Sequence, residues 1–241
     1  AIARRTGLLR LLGLAERERL MPQIEENLFF SQLGRTYPAQ GVRRARVAFF
    51  AGCIAQVSFA RLNDATIRVL TANGCEVVVP DGQRCCGALP AHAGVRDVAR
   101  DLARVNLDAF LSREYDAIVT NAAGCGSTLK DYDHLFPAGA PEHERAQAFR
   151  AKMRDVTEFL DEIGPVAPLG ALPLRVTYQD SCHLAHGQKI REAPRRLIRS
   201  VPGVELIEMP LADNCCGSAG VYNVTQSGTA LELLAEKMQF A

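Results

Sequence analysis

A pair of adjacent cysteines followed by glycine occurs twice in this chain, and each pair trails a lone cysteine by almost the same interval. In the first series Cys53 precedes Cys85-Cys86-Gly87 by 31 residues; in the second Cys182 precedes Cys215-Cys216-Gly217 by 32 residues. The surroundings repeat as well. Each lone cysteine ends a strand-like run, Val47-Ala48-Phe49-Phe50-Ala51-Gly52-Cys53 and Val176-Thr177-Tyr178-Gln179-Asp180-Ser181-Cys182. Each Cys-Cys-Gly follows a second run, Cys75 to Pro80 and Val204 to Pro210. Such self-similarity outranks local signals, because each copy must be one supersecondary unit.

Between the runs lies a helical pattern. In the first copy it is Ala65, Ile67, Val69 and Leu70, closed by Asn73-Gly74; in the second it is Arg195 to Arg199, closed by Pro202-Gly203. Both endings are helix-stop signals. A further helix is expected from about Val95 to Ser112, with Val98, Leu102, Val105 and Ala109 at helical spacing. A third strand, Asp116 to Thr120, runs into Asn121-Ala122-Ala123-Gly124-Cys125-Gly126, and a helix is expected to start near Ser127. Alternating strands and helices predict an α/β fold of two tandem βαβ repeats with mostly parallel sheets and right-handed crossovers. Cys53, Cys85, Cys86 and Cys125 then all follow carboxyl ends of strands, the edge where open α/β sheets bind ligands.

We divide the chain into a linker or helix at 1–45, a first cysteine-rich repeat at 46–165 and a second, truncated repeat at 174–241. Leu8, Leu9, Leu11, Leu12 and Leu14 read as a linker helix covering the core, with a membrane or partner contact as the alternative. Pro137 to Glu144 and Pro165 to Pro173 read as loops. The chain begins at Ala1, so we expect a processed protein or part of a longer polypeptide.

Adjacent cysteines are poor disulfide partners, because their Cα atoms lie only about 3.8 Å apart. As thiolates to different irons of one cluster they meet no such strain. Gly87 and Gly217 let the backbone turn beside a bulky inorganic core, and their N–H groups can donate to sulfur. Cys53, Cys85, Cys86 and Cys125 supply the four thiolates of a [4Fe–4S] cluster. A Cys₄ zinc site, a redox dithiol or inert core thiols are the alternatives; zinc usually takes C-x₂₋₄-C knuckles, which this chain lacks. Cys75 has no counterpart and reads as core. In the second series Cys182, Cys215 and Cys216 lack a fourth thiol, which the spacing of the first would put near position 255. His183 or His186 could complete it, though each reads more readily as a supporting residue.

Composition agrees with a redox or metal protein. Eight cysteines without an export signal or bilayer-spanning run favour metal chemistry over disulfides. Hydrophobic residues at 48% suffice for a core, a net charge of +1 offers no general attraction to nucleic acid or anionic lipid, and the absence of Trp argues against base stacking.

The two Cys…Cys-Cys-Gly units resemble the cysteine-rich CCG domain, which occurs as a pair in heterodisulfide reductase, in lactate-utilisation iron–sulfur proteins and in the iron–sulfur subunit of glycolate oxidase. The details most similar to the last are Asn121 to Tyr132, Val156 to Leu160, Asp180 to Gly187 and Asn214 to Asn223, and the resemblance covers about residues 45–241. It implies one or two [4Fe–4S] clusters and an electron-transfer subunit of a 2-hydroxy-acid dehydrogenase. Flavin-containing subunits would be its partners, a quinone its indirect acceptor, and the chain itself would not be catalytic. A lactate- or glycerol-3-phosphate-linked subunit is the near alternative, then a heterodisulfide-type reductase, then a zinc-stabilised interaction module. The reductase form carries C-x-x-C after the third strand; here Cys125 stands alone within Gly-Cys-Gly. The glycolate oxidase subunit also carries an upstream ferredoxin-like domain, whose C-x₂-C-x₂-C-x₃-C-P runs are absent here. The resemblance thus implies a cytoplasmic fragment, peripheral on the inner membrane face through its complex. No stretch reads as a flavin or hydroxy-acid site.

Overall fold

The computed structural model describes residues 8–13 and 22–240. The chain runs through α1 (Leu8–Leu11), a 3₁₀ turn (Phe29–Gln32), β1 (Thr36–Tyr37), β2 (Ala45–Phe50), α2 (Ala55–Ser58), α3 (Ala60–Ala72), β3 (Cys75–Val78), α4 (Ala88–His92), α5 (Arg96–Leu111), β4 (Ala117–Thr120) and α6 (Ala123–Lys130). It continues through a 3₁₀ turn (Tyr132–Leu135), α7 (Pro141–Lys152), β5 (Met153–Asp155), α8 (Val156–Ile163), β6 (Arg175–Tyr178), a π-helical turn (His183–Gly187), α9 (Glu192–Arg199), β7 (Glu205–Glu208), α10 (Tyr222–Thr225) and α11 (Ser227–Lys237).

Strands β1 to β5 form one sheet in the order β1-β3-β2-β4-β5, parallel except for β1, which pairs antiparallel to β3. Its central strands are buried on both faces, as helices on both sides of a parallel sheet require. Ala48, Phe50 and Ile118 face α5 and α7, packing with Leu107, Phe110 and Phe149. Val47, Phe49, Val77 and Val119 face α3 and α8, packing with Ile67, Leu70 and Phe159. Cys75 is buried at the start of β3 within this second layer. Strands β6 and β7 form a separate parallel pair, in register Val176 to Leu206. Both are half-exposed, because two strands beneath α9 have little around them to bury against.

The mixed α/β architecture and its parallel strands agree with the expectation from the repeat; several local readings need correction. Residues 29–37, taken as linker, bury Phe29 and add the edge strand β1. Leu11 and Leu12 are exposed, so this part of the leucine-rich segment covers no core; Leu14 lies outside the described residues. Helix α5 buries Ala99, Ala103, Asn106, Leu107 and Phe110, while Val98 and Val105 are exposed. Val69 on α3 is likewise exposed. Helix α6 begins at Ala123, so Cys125 sits in its first turn. Helix α7 begins at Pro141, inside the expected loop, with Pro at the first turn, where a missing N–H costs nothing.

The glycine of each Cys-Cys-Gly has a stricter role than turning beside a cluster. Gly87 has φ +80° and Gly217 φ +75°. A Cβ on Gly87 would meet the Ala99 carbonyl at 3.4 Å; on Gly217 it would meet the Ala230 carbonyl at 2.3 Å. In both halves the motif therefore presses its backbone onto the next long helix. A side chain at positive φ costs about 1–2 kcal/mol, and the collision at Gly217 adds to it. Gly217→Ala should destabilise the second half by more than about 2 kcal/mol, and Gly87→Ala by less. Denaturant titration of both variants checks the ranking, and equal effects would contradict it.

Candidate metal centre

Three adjacent parallel strands bring the first series together. Cys53 follows β2, Cys85 and Cys86 follow β3 through a short loop, and Cys125 opens α6 just after β4. Gly52, at φ +72°, lets the chain turn so that its missing Cβ would lie 3.8 Å from Cys125 Sγ. All eight cysteines are free thiols. Cys53 Sγ lies 3.5 Å from Cys85 Sγ, to which it donates, and Cys86 donates toward Cys85 and Cys125.

Protons are shared unevenly along this row. Hydrogen bonds donated by Cys53 and Cys86 hold Cys85 well below the usual thiol value, and the bond from Cys86 also lowers Cys125. The donors move the opposite way. Cys53 is raised by its bond to Cys85 and then by burial, and Cys86 by its bonds to Cys125 and Cys85 and then by burial. Backbone N–H groups of Ile54, Gly87 and Ala88 point at Cys53, Cys85 and Cys86 respectively, each favouring the thiolate. The first turn of α6 does the same for Cys125 through the helix dipole.

A buried polar framework holds these loops, and sequence reasoning did not find it. Asn106, fully buried on α5, accepts from the Arg84 N–H at 2.8 Å and donates to the Cys85 carbonyl at 3.0 Å and to Tyr132 Oη at 2.9 Å. Tyr132, kept protonated by burial, donates to the Cys86 carbonyl at 2.9 Å. Gln83 bridges the Phe49 and Pro80 carbonyls to the Ala51 N–H, and Asn63 donates to the Ala51 carbonyl. Asn121 ties Asn63 and Thr66 to the end of β4. The available signal was a lone Asn inside an apolar helix pattern, which looks the same as a surface residue until the helix face is known.

The second series is assembled similarly but more openly. Burial raises the Cys182 thiol, and the nearby Cys215 and Cys216 raise it further. The Gly217 N–H donates to Cys215 Sγ at 3.3 Å, repeating the Gly87 contact. Cys215 is exposed. The loop before it wraps the buried Lys237 ammonium, which donates to the Ala212 carbonyl at 2.8 Å and the Asn214 carbonyl at 2.7 Å. His186 is engaged with the Asp213 carbonyl at 3.2 Å and with Arg191. His183 turns toward the first series: a methyl on Gly124 would lie 3.8 Å from its ring. Asp180, part of the polar stretch that suggested a site, is taken up by a buried ion pair with Arg195 at 2.8 Å.

The two series meet where α6 packs on the π-helical turn. A Cβ on Gly126 would strike Gln188 Nε2 at 2.8 Å, and one on Gly187 would strike Ser127 Oγ at 2.6 Å. Only glycines permit so close an approach, and Gln188 Nε2 donates across it to the Ala123 carbonyl at 3.1 Å. Cys125 and Cys182 each stand near the start of one of these two turns.

Among the described residues no three His, Cys, Asp or Glu side chains surround a single-ion position. In the first series the neighbours Cys85 and Cys86, at the end of one loop, meet Cys53 and Cys125 from two other strand ends, and adjacent cysteines of this kind can serve different irons of one cluster. The donor set, its partly ionised thiols and the N–H groups aimed at sulfur fit an iron–sulfur cluster. No helix among the described residues is long and apolar enough to cross a membrane.

The family model for the cysteine-rich domain matches residues 47–130 and 176–241, the segments that carry the two series. The chain is 40% identical over 98% of its length to the probable glycolate oxidase iron-sulfur subunit of Bacillus subtilis (strain 168), of which it covers 54%. It is 32% identical over 80% of its length to lactate utilization protein A of Geobacillus thermodenitrificans (strain NG80-2), covering 81% of that protein. It is 38% identical over 73% of its length to a fumarate reductase (CoM/CoB) subunit of Methanothermobacter marburgensis, covering 33% of it. The chain thus spans about half the length of the Bacillus relative and a third of the methanogen protein.

Proposed function

The chain belongs to the cysteine-rich domain family, and on that footing we propose that it is the iron–sulfur electron-transfer part of a 2-hydroxy-acid dehydrogenase acting on glycolate. The observation that carries this reading is the convergence of Cys53, Cys85, Cys86 and Cys125 at one sheet edge, with the second series one helix contact away. Cys53, Cys85, Cys86 and Cys125 would hold a [4Fe–4S] cluster, and Cys182, Cys215 and Cys216 a second. A bound cluster supplies one-electron storage and release. The protein holds the thiolates in place, directs N–H groups at sulfur and shields Cys86 from water. The organisation we assign is a first repeat at 46–165 preceded by its edge strand, and a second at 174–241.

Electrons would enter from a flavin-containing partner that oxidises the hydroxy acid and leave toward a quinone, with the complex held at the inner membrane face. Similarity to the Bacillus relative supports glycolate; similarity to the Geobacillus relative supports lactate, the second reading. Anaerobically purified protein should show broad visible absorbance that bleaches when glycolate and the flavoprotein partner are added together. Bleaching by lactate alone would move the assignment to the second reading. Colourless protein containing zinc would overturn both.

A further inference from the structure

A cavity of about 610 Å³ opens between the two halves, and the site already described does not use it. One wall is α4, which follows Cys85-Cys86-Gly87; the other is the segment from Ala219 to Thr225, which follows Cys215-Cys216-Gly217. The walls touch at one end, where a Cβ on Gly220 would lie 3.6 Å from Leu89 Cδ2. The cavity is thus lined by the segments that follow the two Cys-Cys-Gly motifs and by His183, the residue after Cys182.

Its chemistry is selective. Leu89 and Val221 make the walls apolar, and among the described residues no Lys, Arg, Asp or Glu lines it. Among the described residues a hydroxy-acid carboxylate would find no lysine or arginine there. The polar groups that face in include two imidazoles, His92 from the first half and His183 from the second, with ring centroids 6.0 Å apart. Among the described residues their ring nitrogens make no protein hydrogen bonds, whereas His143 and His186 do. An apolar chamber of this size with a few convergent hydrogen-bonding groups suits a neutral planar ligand with carbonyl oxygens.

We propose that this cavity is a quinone site, in which His92 and His183 hydrogen-bond the carbonyl oxygens of the ring. The inference rests on the electron-transfer reading and gives that reading its exit. The quinone is reduced to quinol by two electrons and two protons. The electrons would come one at a time from the iron that the cysteines would hold, ferrous iron becoming ferric. The flavin-containing partner re-reduces that iron with electrons from the hydroxy acid. The protons reach the two oxygens from solvent.

Equilibrium dialysis of the iron-loaded chain with duroquinone tests the site, because its four ring methyls block addition of cysteine thiols. Saturable binding is expected. His92→Leu, which keeps the apolar volume and removes one hydrogen bond, should weaken it about 2- to 10-fold. Val221→Glu, which places a carboxylate in the apolar wall, should abolish it. Both variants should keep the parental iron content and visible spectrum; if Val221→Glu loses iron, Leu89→Glu replaces it. Non-saturable binding, or affinity unchanged by the substitutions, overturns the site. Bleaching by glycolate with the flavoprotein partner reports separately on electron transfer. A chain that bleaches but does not bind duroquinone loses the quinone site alone. One that binds duroquinone but never bleaches loses the electron-transfer reading alone.

Discussion

Cys85→Ser is expected to strip most of the iron from the purified chain, while Cys215→Ser removes little. Cys85 is the middle of the row: it accepts from Cys53 and Cys86 and from the Gly87 N–H, so it is the thiol most readily presented as a ligand. Loss of an outer hydrogen-bond partner of a metal ligand costs roughly 10–100-fold in affinity, and loss of the ligand itself should cost more. Serine is a clean probe here, because Asn106 and Tyr132 hold the Cys85 and Cys86 carbonyls regardless of the side chain. The second series begins from a weaker position. The chain offers it three thiols, Cys215 is exposed, and His186 is committed to Asp213 and Arg191. A cluster there would rely on water for its last ligand and would be open to oxidation. Iron per chain, measured after anaerobic purification, should fall toward zero in Cys85→Ser and stay near the parental value in Cys215→Ser. Iron that follows Cys215 and not Cys85 would show that the stable site belongs to the other series.

The parts of this arrangement that were legible in the sequence are those written in repeated residue types. The runs ending at Cys53 and before Cys85 are β2 and β3, and Asn73-Gly74 ends α3, with Gly74 at φ +81°. Those signals suffice to bring four cysteines to one edge. The parts that were not legible depend on small or polar residues whose burial only the packed structure reveals. Helix α5 looked as if it should bury Val98 and Val105, apolar residues at helical spacing. It buries Ala99 and Ala103 instead, because the Cys-Cys-Gly backbone lies against Ala99 with no room for a larger side chain. The same face carries Asn106, whose amide serves that backbone. Strands β1 and β5, of two and three residues, are too short for any periodicity. Pro141 read as loop because proline cannot sit inside a helix, but it suits a helix start equally well. The histidine pair was visible only in half: His183 drew notice as a neighbour of Cys182, while His92 has no motif around it and meets His183 only through the packing of the two halves.

Arg195→Ala should destabilise the second half by about 3–5 kcal/mol, the range expected when one member of a buried ion pair is removed. Arg195 and Asp180 are both buried, and the guanidinium grips the carboxylate with two bonds of 2.9 and 2.8 Å. It also donates to Glu208 at 3.0 Å and to the Arg191 carbonyl at 2.9 Å, and lies over the Tyr178 ring at 5.1 Å. One side chain on α9 thus ties together both strands of the small sheet. Asp180 in turn donates its N–H to the Ala212 carbonyl at 3.0 Å, on the loop leading to Cys215, and stands two residues before Cys182. Little else can compensate. The small sheet is half-exposed, and the apolar cluster beside it consists of Leu184, Ile190 and Ala193 with Ala123 packed against them. Arg195→Lys should recover only part of the loss, because an ammonium cannot reproduce the two-pronged grip. The double change Asp180→Ala with Arg195→Ala should cost less than the sum of the single ones, since Arg195→Ala alone leaves the buried Asp180 carboxylate without its partner. The damage should also stay local, because the bonds that Arg195 makes to Asp180, Glu208 and Arg191 all lie within the second half. Segment-resolved amide exchange should quicken in β6, β7 and α9 and hold steady in β2 and β4. Exchange that rises equally in both halves would mean that the clamp supports the whole molecule, and that the two cysteine series cannot be loosened independently.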